Sequence, residues 1–487
     1  MKGTLIYDEL VKICGSKAVS NDPIQLKEYS NDMSFYNGKI PKFIVFPSST
    51  KQIEKILSLA NKEKISVVPL STKSQFKHHG DSLPRKENSI ILNLSNMRKI
   101  LSIDRKNRVV MVQPGVSYGD LIPKLKEKGL RLLTPLSPTT SKSVLSTALE
   151  REPITIPRYH WDSSDPLLCT EVVFGSGDLF RTGTAAGPGT IKEQQKTGLA
   201  QVNPMGPTQF SPYRLIQGAQ GSIGVVTWAT LKLELLPSIQ RVFHLQSQNL
   251  QDLLDIQYEL LKYRLCDELF ILNKLSFACL FKHDPQEIKE ILENLYDWNL
   301  IFIITGRGKL AEDRVEYLEG DINEIFTKLA HNCLMNSKIV LDKEIVSVLN
   351  GSCTLPWRMR LKGAYQDISY LTNIEKIPDF ISTVQTAFPT DLGVYIQPIN
   401  QGTSYHCEFD IFYDPTDNTA VKSVKEKYLD VSTQLMDDGA FFSRPYGDLA
   451  KEVYARHAPE TVEALRKVKK IFDPNNILNP GVLCFDD

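Results

Sequence analysis

The chain has 487 residues, 42% hydrophobic and 23% charged. That is an ordinary globular composition and more length than one hydrophobic core serves, so two domains are expected. Lys plus Arg and Asp plus Glu balance at 57 each, which removes the electrostatic argument for nucleic acid or a membrane surface as partner. No apolar run reaches the ~18 residues of a membrane span.

The first residues, MKGTLIYDELVKICG, are amphipathic but carry Asp8 and Glu9; they lack the apolar core and cleavage site of a secretion signal. The eight cysteines (14, 169, 266, 279, 333, 353, 407 and 484) show no C-x-x-C spacing. Neither a zinc nor an iron–sulfur motif is visible, and scattered thiols suit a cytoplasmic location.

Residues 1–38 read as helix and loop, and Lys42–Phe46 as a short strand closed by Pro47. Ser49 and Gln52 fit a capping box, and Ile53, Ile56, Leu57 and Ala60 form one helical stripe, which predicts a helix over Thr50–Lys62. A strand at Ile65–Val68 completes a βαβ unit, and ligands of such units gather beyond the carboxyl ends of the strands. The loop that follows is crowded with Ser71, Thr72, Lys73, Ser74, Gln75, Phe76, His79 and Gly80. Hydroxyls and cations just past a buried strand suit a phosphate-type anion; the plainer alternative is a surface loop of mixed polarity.

Further strands are expected at Ile90–Leu94 and Val109–Val112, the latter ended by Pro114-Gly115. Ser117 can cap a helix to about Lys128, with Gly129 at C′. Thr134–Pro153 is rich in Ser, Thr and Pro and ends in a charged patch. Arg158–Pro166, RYHWDSSDP, could line a site or a partner surface. Glu171–Phe174 and Leu179–Arg181 flank a Gly-Ser-Gly-Asp turn and read as a hairpin. Gly183–Gln209 reads as a long loop over a site. Gln217–Leu235 carries glycines in front of a β-rich run, the pattern of a close backbone approach to a ligand.

From about Pro237 the texture changes. Helices expected at Leu250–Tyr263, Pro285–Trp298, Leu310–Ala330, Ile377–Phe388 and Val421–Asp437 alternate with strands at Leu300–Thr305, Val394–Gln397 and Tyr405–Tyr413. This is a second α+β domain. A helix at Pro459–Lys470 and the tail FDPNNILNPG close the chain.

Four stretches resemble the FAD-linked oxidase superfamily that includes vanillyl-alcohol oxidase, p-cresol methylhydroxylase and glycolate oxidase D-type subunits. They are PSSTKQIEKILSLANKEKISVVPLST, LNLSNMRKIL with VVMVQPGVSYGDL, QGAQGSIGVVTWATLKL, and FDPNNILNPG. The resemblance implies an α+β fold: an FAD-binding domain of two subdomains over 1–237, an α+β substrate (cap) domain over 238–437, and a segment over 438–487 that returns to the FAD domain. It implies non-covalent FAD held by Pro69 and the loop Ser71–Gly80, by Pro114, Gly115 and Val116, by Thr140 and Ser143, by Gly221, Ile223, Gly224 and Val226, and by Asn479. PLST, VYIQP and Phe442-Ser443-Arg444-Pro445 look like the phenol-oxidising branch, in which a C-terminal arginine sits beside flavin and substrate; Arg444 takes that place.

Two departures stand out. Ser71–His79 contains no glycine, and Ser143-Val144-Leu145-Ser146 stands where a Gly-Gly pair is expected. The implied activity is a dehydrogenase that moves hydride from an organic alcohol or 2-hydroxy acid to flavin N5. Its electrons would pass to a protein acceptor such as an electron-transfer flavoprotein, an iron–sulfur subunit or a cytochrome subunit, in a homo- or hetero-oligomer. The glycine-poor loops keep a rival open, a non-catalytic or altered-flavin subunit of a larger redox complex. A third class is a binding protein for an aromatic acid. No G-x-G-x-x-G nicotinamide fingerprint is present.

Three catalytic candidates emerge. Arg444, among Phe441, Phe442 and Tyr446, is either a stacked structural arginine or the cation that stabilises charge on the reduced flavin. His406 and Glu408 share one face of a strand; His406 is either a core histidine or the base for a substrate hydroxyl. No metal set is demanded by spacing. Arg358, Arg360 and Lys362 alternate as a strand face would, solvated or lining a carboxylate pocket.

Overall fold

Ser49 starts the first long helix: its hydroxyl accepts from the Gln52 backbone N–H, and Ile53, Ile56, Leu57 and Ala60 bury one face of Thr50–Glu63. The computed structural model describes residues 2–72, 75–157, 159, 165–187, 189–196, 212–335, 340 and 342–485. The buried helix face packs on a four-stranded sheet ordered Val19–Ser20, Phe43–Val45, Ile90–Asn93, Val67–Leu70. All neighbours are parallel except the first pair. The strand expected at Ile65–Val68 lies instead at Val67–Leu70, with Pro69 inside it. Proline is tolerated there because this is the edge strand, where a missing N–H breaks no ladder.

The C-terminal tail covers that edge. Val67 N–H donates to the Ile477 carbonyl at 2.7 Å and Asn479 N–H to the Val67 carbonyl at 2.9 Å. Asp473 organises the turn that brings the tail back. It accepts from the backbone N–H groups of Ile477 and Leu478 at 3.0 and 2.8 Å, and from Lys469, which also donates to the carbonyls of Ser222 and Leu478.

A six-stranded antiparallel sheet follows, ordered Ile100–Asp104, Val109–Val112, Gly224–Leu235, Leu167–Phe174, Leu179–Arg181, with Leu130–Leu132 also paired to Gly224–Leu235. The predicted hairpin forms its far edge. Ser117 and Asp120 make the capping box of helix Tyr118–Glu127, and Gly129 follows at φ +64. Within Gly183–Gln209, a short 3-10 turn at Gly183–Ala186 and a helix at Ile191–Lys196 are ordered; 197–211 lie outside the described residues.

The third sheet has seven strands, all antiparallel. Its order is Leu334–Met335, Ile239–Ser247, Trp298–Gly306, Leu269–Asn273, Leu392–Ile399, Ser404–Tyr413, Ala364–Thr372. Helices Leu250–Lys262, Ala311–Leu329, Ile377–Ala387 and Asn418–Asp437 cover one face. The helix expected over Pro285–Trp298 ends at Leu292, and Trp298 opens a strand whose interior is wholly buried. Burial of the apolar run after it outweighs the helical periodicity before it. Among the described residues no helix is long and apolar enough to cross a membrane.

The Lys469–Asp473 pair is almost wholly buried, so removing one partner strands the other charge. Asp473→Ala is expected to cost about 3–5 kcal/mol, read as a lowered urea midpoint of the full chain.

Candidate flavin and substrate site

Strand alternation builds one wall. Along Ser404–Tyr413, residues Tyr405, Cys407, Phe409 and Ile411 pack into the helix-covered core, so His406, Glu408 and Asp410 point the other way. Their neighbours in register extend the same polar face: Tyr395 and Ser369 beside Glu408, Gln397 and Leu371 beside His406, Asp367 beside Asp410. Opposite this face lies a cavity of about 230 Å³, whose far wall is the end of Val67–Leu70, the loop after it, and Lys142, Ser146, Glu150 and Glu152. A second cavity of about 120 Å³ runs on between Leu94, Leu145, Leu149, Ile216, Val225 and Val226. The two share Pro69, Leu70, Ser71, Asp81, Ser146, Glu150 and Arg444, so they form one continuous cleft across the junction of all three sheets.

Of the residues expected at the site, Pro69, Ser71, Thr72, Phe76, His79, Pro114, Gly221, Gly224, Val226, His406, Glu408 and Arg444 line the cleft. Lys73 and Ser74 lie outside the described residues, as do Arg158 and 160–164. The others do different work. Gln75 is exposed. Gly80 packs on Ser34 and Tyr36, and its N–H donates to Asp32. Gly115 has no room for a Cβ, which would stand 2.6 Å from the Ser95 carbonyl oxygen. Val116 and Ile223 are core. Thr140 donates to the Cys353 carbonyl, and its hydroxyl lies 3.1 Å from that of Ser352, tying the loop to the cap. Ser143 caps helix Val144–Leu149. The Asn479 amide donates to the carbonyls of Asp81 and Gln220 at 2.7 Å each, so it staples both walls without facing the cleft.

Charge in the cleft is arranged in groups. Lys142 Nζ lies 3.3 Å from Glu150 and contacts Glu152. Burial pushes Glu150 up, against the pull of Lys142, to about 8. Burial also opposes the charge on Glu152, but Lys142, Glu150 and Arg444 outweigh it and hold that carboxyl low. Arg358 donates to Asp410 at 2.9 Å and contacts Glu408. Burial raises Asp410, while Glu408 is held down by Arg358 and His406. Each group is thus one cation between two carboxyls, one held low and the other raised by burial.

Arg358, Arg360 and Lys362 are not a strand face. Trp357–Met359 is a 3-10 turn, Arg360 donates to the carbonyls of Cys279, Leu280 and Lys282, and Lys362 pairs with Asp391. Lys142, Glu150, Glu152, Asp81 and Asp367 went unnoticed in the sequence. Alternation of Tyr365, Asp367, Ser369 and Leu371 was the available signal for the last; the acids of Thr134–Pro153 offered only a charged patch.

Arg444 is the exception to the pairing. It lines the cleft, and no described residue lies within hydrogen-bond or ion-pair distance of its guanidinium or stacks on it. Phe442 belongs to the cap core and Phe441 is exposed. Burial opposes its charge, but Tyr446, Glu152, Glu408 and Asp367 outweigh burial and keep it cationic.

Residues 41–183 match the family described as FAD binding domain, and 446–483 that described as FAD linked oxidases, C-terminal domain. At both ends, then, the chain resembles the FAD-linked oxidases. It is 21% identical to the glycolate oxidase subunit GlcD of Bacillus subtilis, over 99% of this chain and 97% of that protein. It is 20% identical to the mitochondrial D-lactate dehydrogenase [cytochrome] of Arabidopsis thaliana, over 91% and 73%. The crystal structure of p-cresol methylhydroxylase with substrate bound superposes with a TM-score of 0.81 at 18% identity, covering 99% of this chain and 97% of that one. The fold is the FAD-binding fold of that enzyme.

The cofactor of this fold is FAD, and the cleft fits it. The apolar stretch between Leu94, Leu145, Ile216 and Val226 suits ring systems, and Ser71, Thr72 and Ser146 offer hydroxyls. Gly218, at φ +69, has open space where a Cβ would be, and Arg444 is an uncommitted cation for an electron-rich edge. Asp81 and Glu150 would repel phosphates as anions, but burial raises both and so disfavours their charged forms.

Glu150 makes this wall sensitive to pH. Its proton is held in the folded cleft up to about pH 8, so flavin retention is expected to weaken as pH rises through that value. Glu150→Gln should flatten the profile. Fluorescence of released flavin across about pH 6 to 9.5 reads both.

Proposed function

We propose that this chain is an FAD-dependent dehydrogenase acting on the CH–OH group of a small organic alcohol or 2-hydroxy acid, with a protein as electron acceptor. Arg444 carries the reading. It is a cleft-lining cation without a hydrogen-bond or ion-pair partner among the described residues, at the join between the flavin-side cavity and the cap-side cavity. Bound FAD supplies the two-electron acceptor.

The chain's own residues supply the rest. Arg444 favours negative charge on whatever abuts it, and a preorganised cation costs no reorganisation at the moment of reaction. Burial keeps His406 neutral at physiological pH, and its Nε2 lies 3.2 Å from Glu408. With Nε2–H donated to that carboxylate, Nδ1 is the basic atom, fit to take the hydroxyl proton of a substrate. Arg358 fixes Glu408 and so orients the imidazole. Tyr395, Trp357 and Leu136 give the same cavity an apolar side. The activities for which the relatives are named, on D-lactate and glycolate, support a hydroxy acid. The name of the Arabidopsis relative and the subunit name of 4-cresol dehydrogenase from Pseudomonas putida support a protein acceptor and a hetero-oligomer.

A specific observation favours a second reading, a flavin-altered subunit of a redox assembly. Where close backbone was expected, the hydroxyls of Thr72 and Ser146 meet at 3.3 Å, and Lys142 with its two acids occupies the wall.

One experiment separates the two. The purified full chain, loaded with FAD, is offered D-lactate, glycolate and 4-alkylphenols with an artificial dye as acceptor. Bleaching of flavin absorbance and dye turnover support the dehydrogenase; a loaded chain reduced by none of them supports the subunit. In the active case Arg444→Ala should lower kcat/KM by about 10²- to 10³-fold, with Arg444→Lys recovering part of the loss.

A further inference from the structure

The loop that enters the cleft carries adjacent histidines. His78 Nε2 lies 3.3 Å from Asp367 Oδ1 and His79 Nε2 3.9 Å from the same oxygen. One ligand atom from each of the three residues falls within 4.8 Å of the others. In a tetrahedral zinc site with bonds near 2.0–2.1 Å the ligand atoms stand about 3.3–3.4 Å apart, so small side-chain rotations close the set.

Hydrogen bonding accounts for only part of this convergence, through Tyr365 OH on His78. Asp367 Oδ1 is buried and makes no hydrogen bond of acceptable geometry, although two imidazoles face it. A buried acceptor left so is costly and asks for an explanation. The rings are held in place: His79 stacks on Tyr446 with centroids 4.0 Å apart and planes 1° from parallel, and Tyr365 OH lies 3.1 Å from His78 Nε2. Arg444 is a cation in the neighbourhood, but Glu152 and Glu408 offset its charge.

We propose that His78, His79 and Asp367 bind a divalent first-row transition metal at the seam between the flavin-side loop and the cap strand Ala364–Thr372. Two imidazoles and a carboxylate are a nitrogen–oxygen set that such ions favour, with zinc the representative case. Three protein ligands leave at least one position open. It faces the cavity lined by His406 and Arg444, where an oxygen donor can complete the shell. Because the ligands come from the flavin-side loop and a strand of the seven-stranded sheet, the ion also clamps the cap onto the flavin side.

The test uses the full chain with the flavin it carries from purification, stripped of metal by a chelator and dialysed against Zn²⁺. The expected result is one zinc per chain and a Tm that rises with free zinc, since only the folded chain assembles the ligands. His78→Gln and Asp367→Asn should each weaken retention by about tenfold or more, while His283→Gln, an exposed histidine off the cleft, should leave it unchanged. Zinc-edge X-ray absorption of the wild-type chain serves where a variant fails to fold: nitrogen and oxygen scattering with an imidazole pattern supports the site. No zinc above the buffer level, sulfur in the shell, or equal retention by His78→Gln and Asp367→Asn overturns it.

Discussion

Lys142 between Glu150 and Glu152, and Arg358 between Glu408 and Asp410, express one constraint. Charge removed from water must be neutralised locally, because an unpaired ion in a low-dielectric seam costs several kcal/mol. Each group meets the constraint the same way, with one cation set between two carboxyls whose pKa values burial and pairing push apart. The seam between the flavin-side sheets and the seven-stranded sheet is therefore nearly neutral despite its density of ionisable groups. A neutral seam can close over an apolar ring system; one with several free charges would draw water in.

Against that background the few uncommitted groups acquire meaning. Among the described residues Arg444 has no hydrogen-bond or ion-pair partner, and Asp367 turns an oxygen that accepts no hydrogen bond toward two imidazoles at ion-pair distance. Both sit where the cleft crosses from flavin side to cap side. Both are placed to meet a group that enters the cleft. The strand face carrying His406 and Glu408 supplies the proton acceptor on the remaining side.

Much of this was legible in the residues. Periodicity and caps located the βαβ unit, the helix after Ser117 and the hairpin near Gly175, because local hydrogen bonds and apolar spacing decide those elements. His406 and Glu408 on one face followed from strand geometry alone. What escaped was set by contacts distant in sequence. Asp367 and Glu408 are neighbours only because strands Ala364–Thr372 and Ser404–Tyr413 pair in register. Lys142 finds its acids through the turn of a helix only six residues long. Asn479, expected to touch cofactor, instead bonds two backbone carbonyls, and no local pattern marks that difference. Arg358, Arg360 and Lys362 alternate like a strand, but the chain turns at Trp357–Met359, and each cation leaves for a different partner.

The missing glycines fit into the same frame. A glycine beside a cofactor gives backbone donors and room; a serine, glutamate or histidine in its place takes room and brings its own chemistry. Thr72, Ser146 and Glu150 keep donors at the cleft wall by side chain, and Glu150 does so only while protonated. His79 stacks flat on Tyr446, which brings its ring within reach of the cap's Asp367. Substitutions that would crowd a glycine-lined site thus build two new features at once: a proton-dependent wall toward the cofactor and a cluster of imidazoles toward the cap. Both depend on the same burial, because water in the cleft would ionise Glu150 and solvate the Asp367 oxygen that the histidines now face alone.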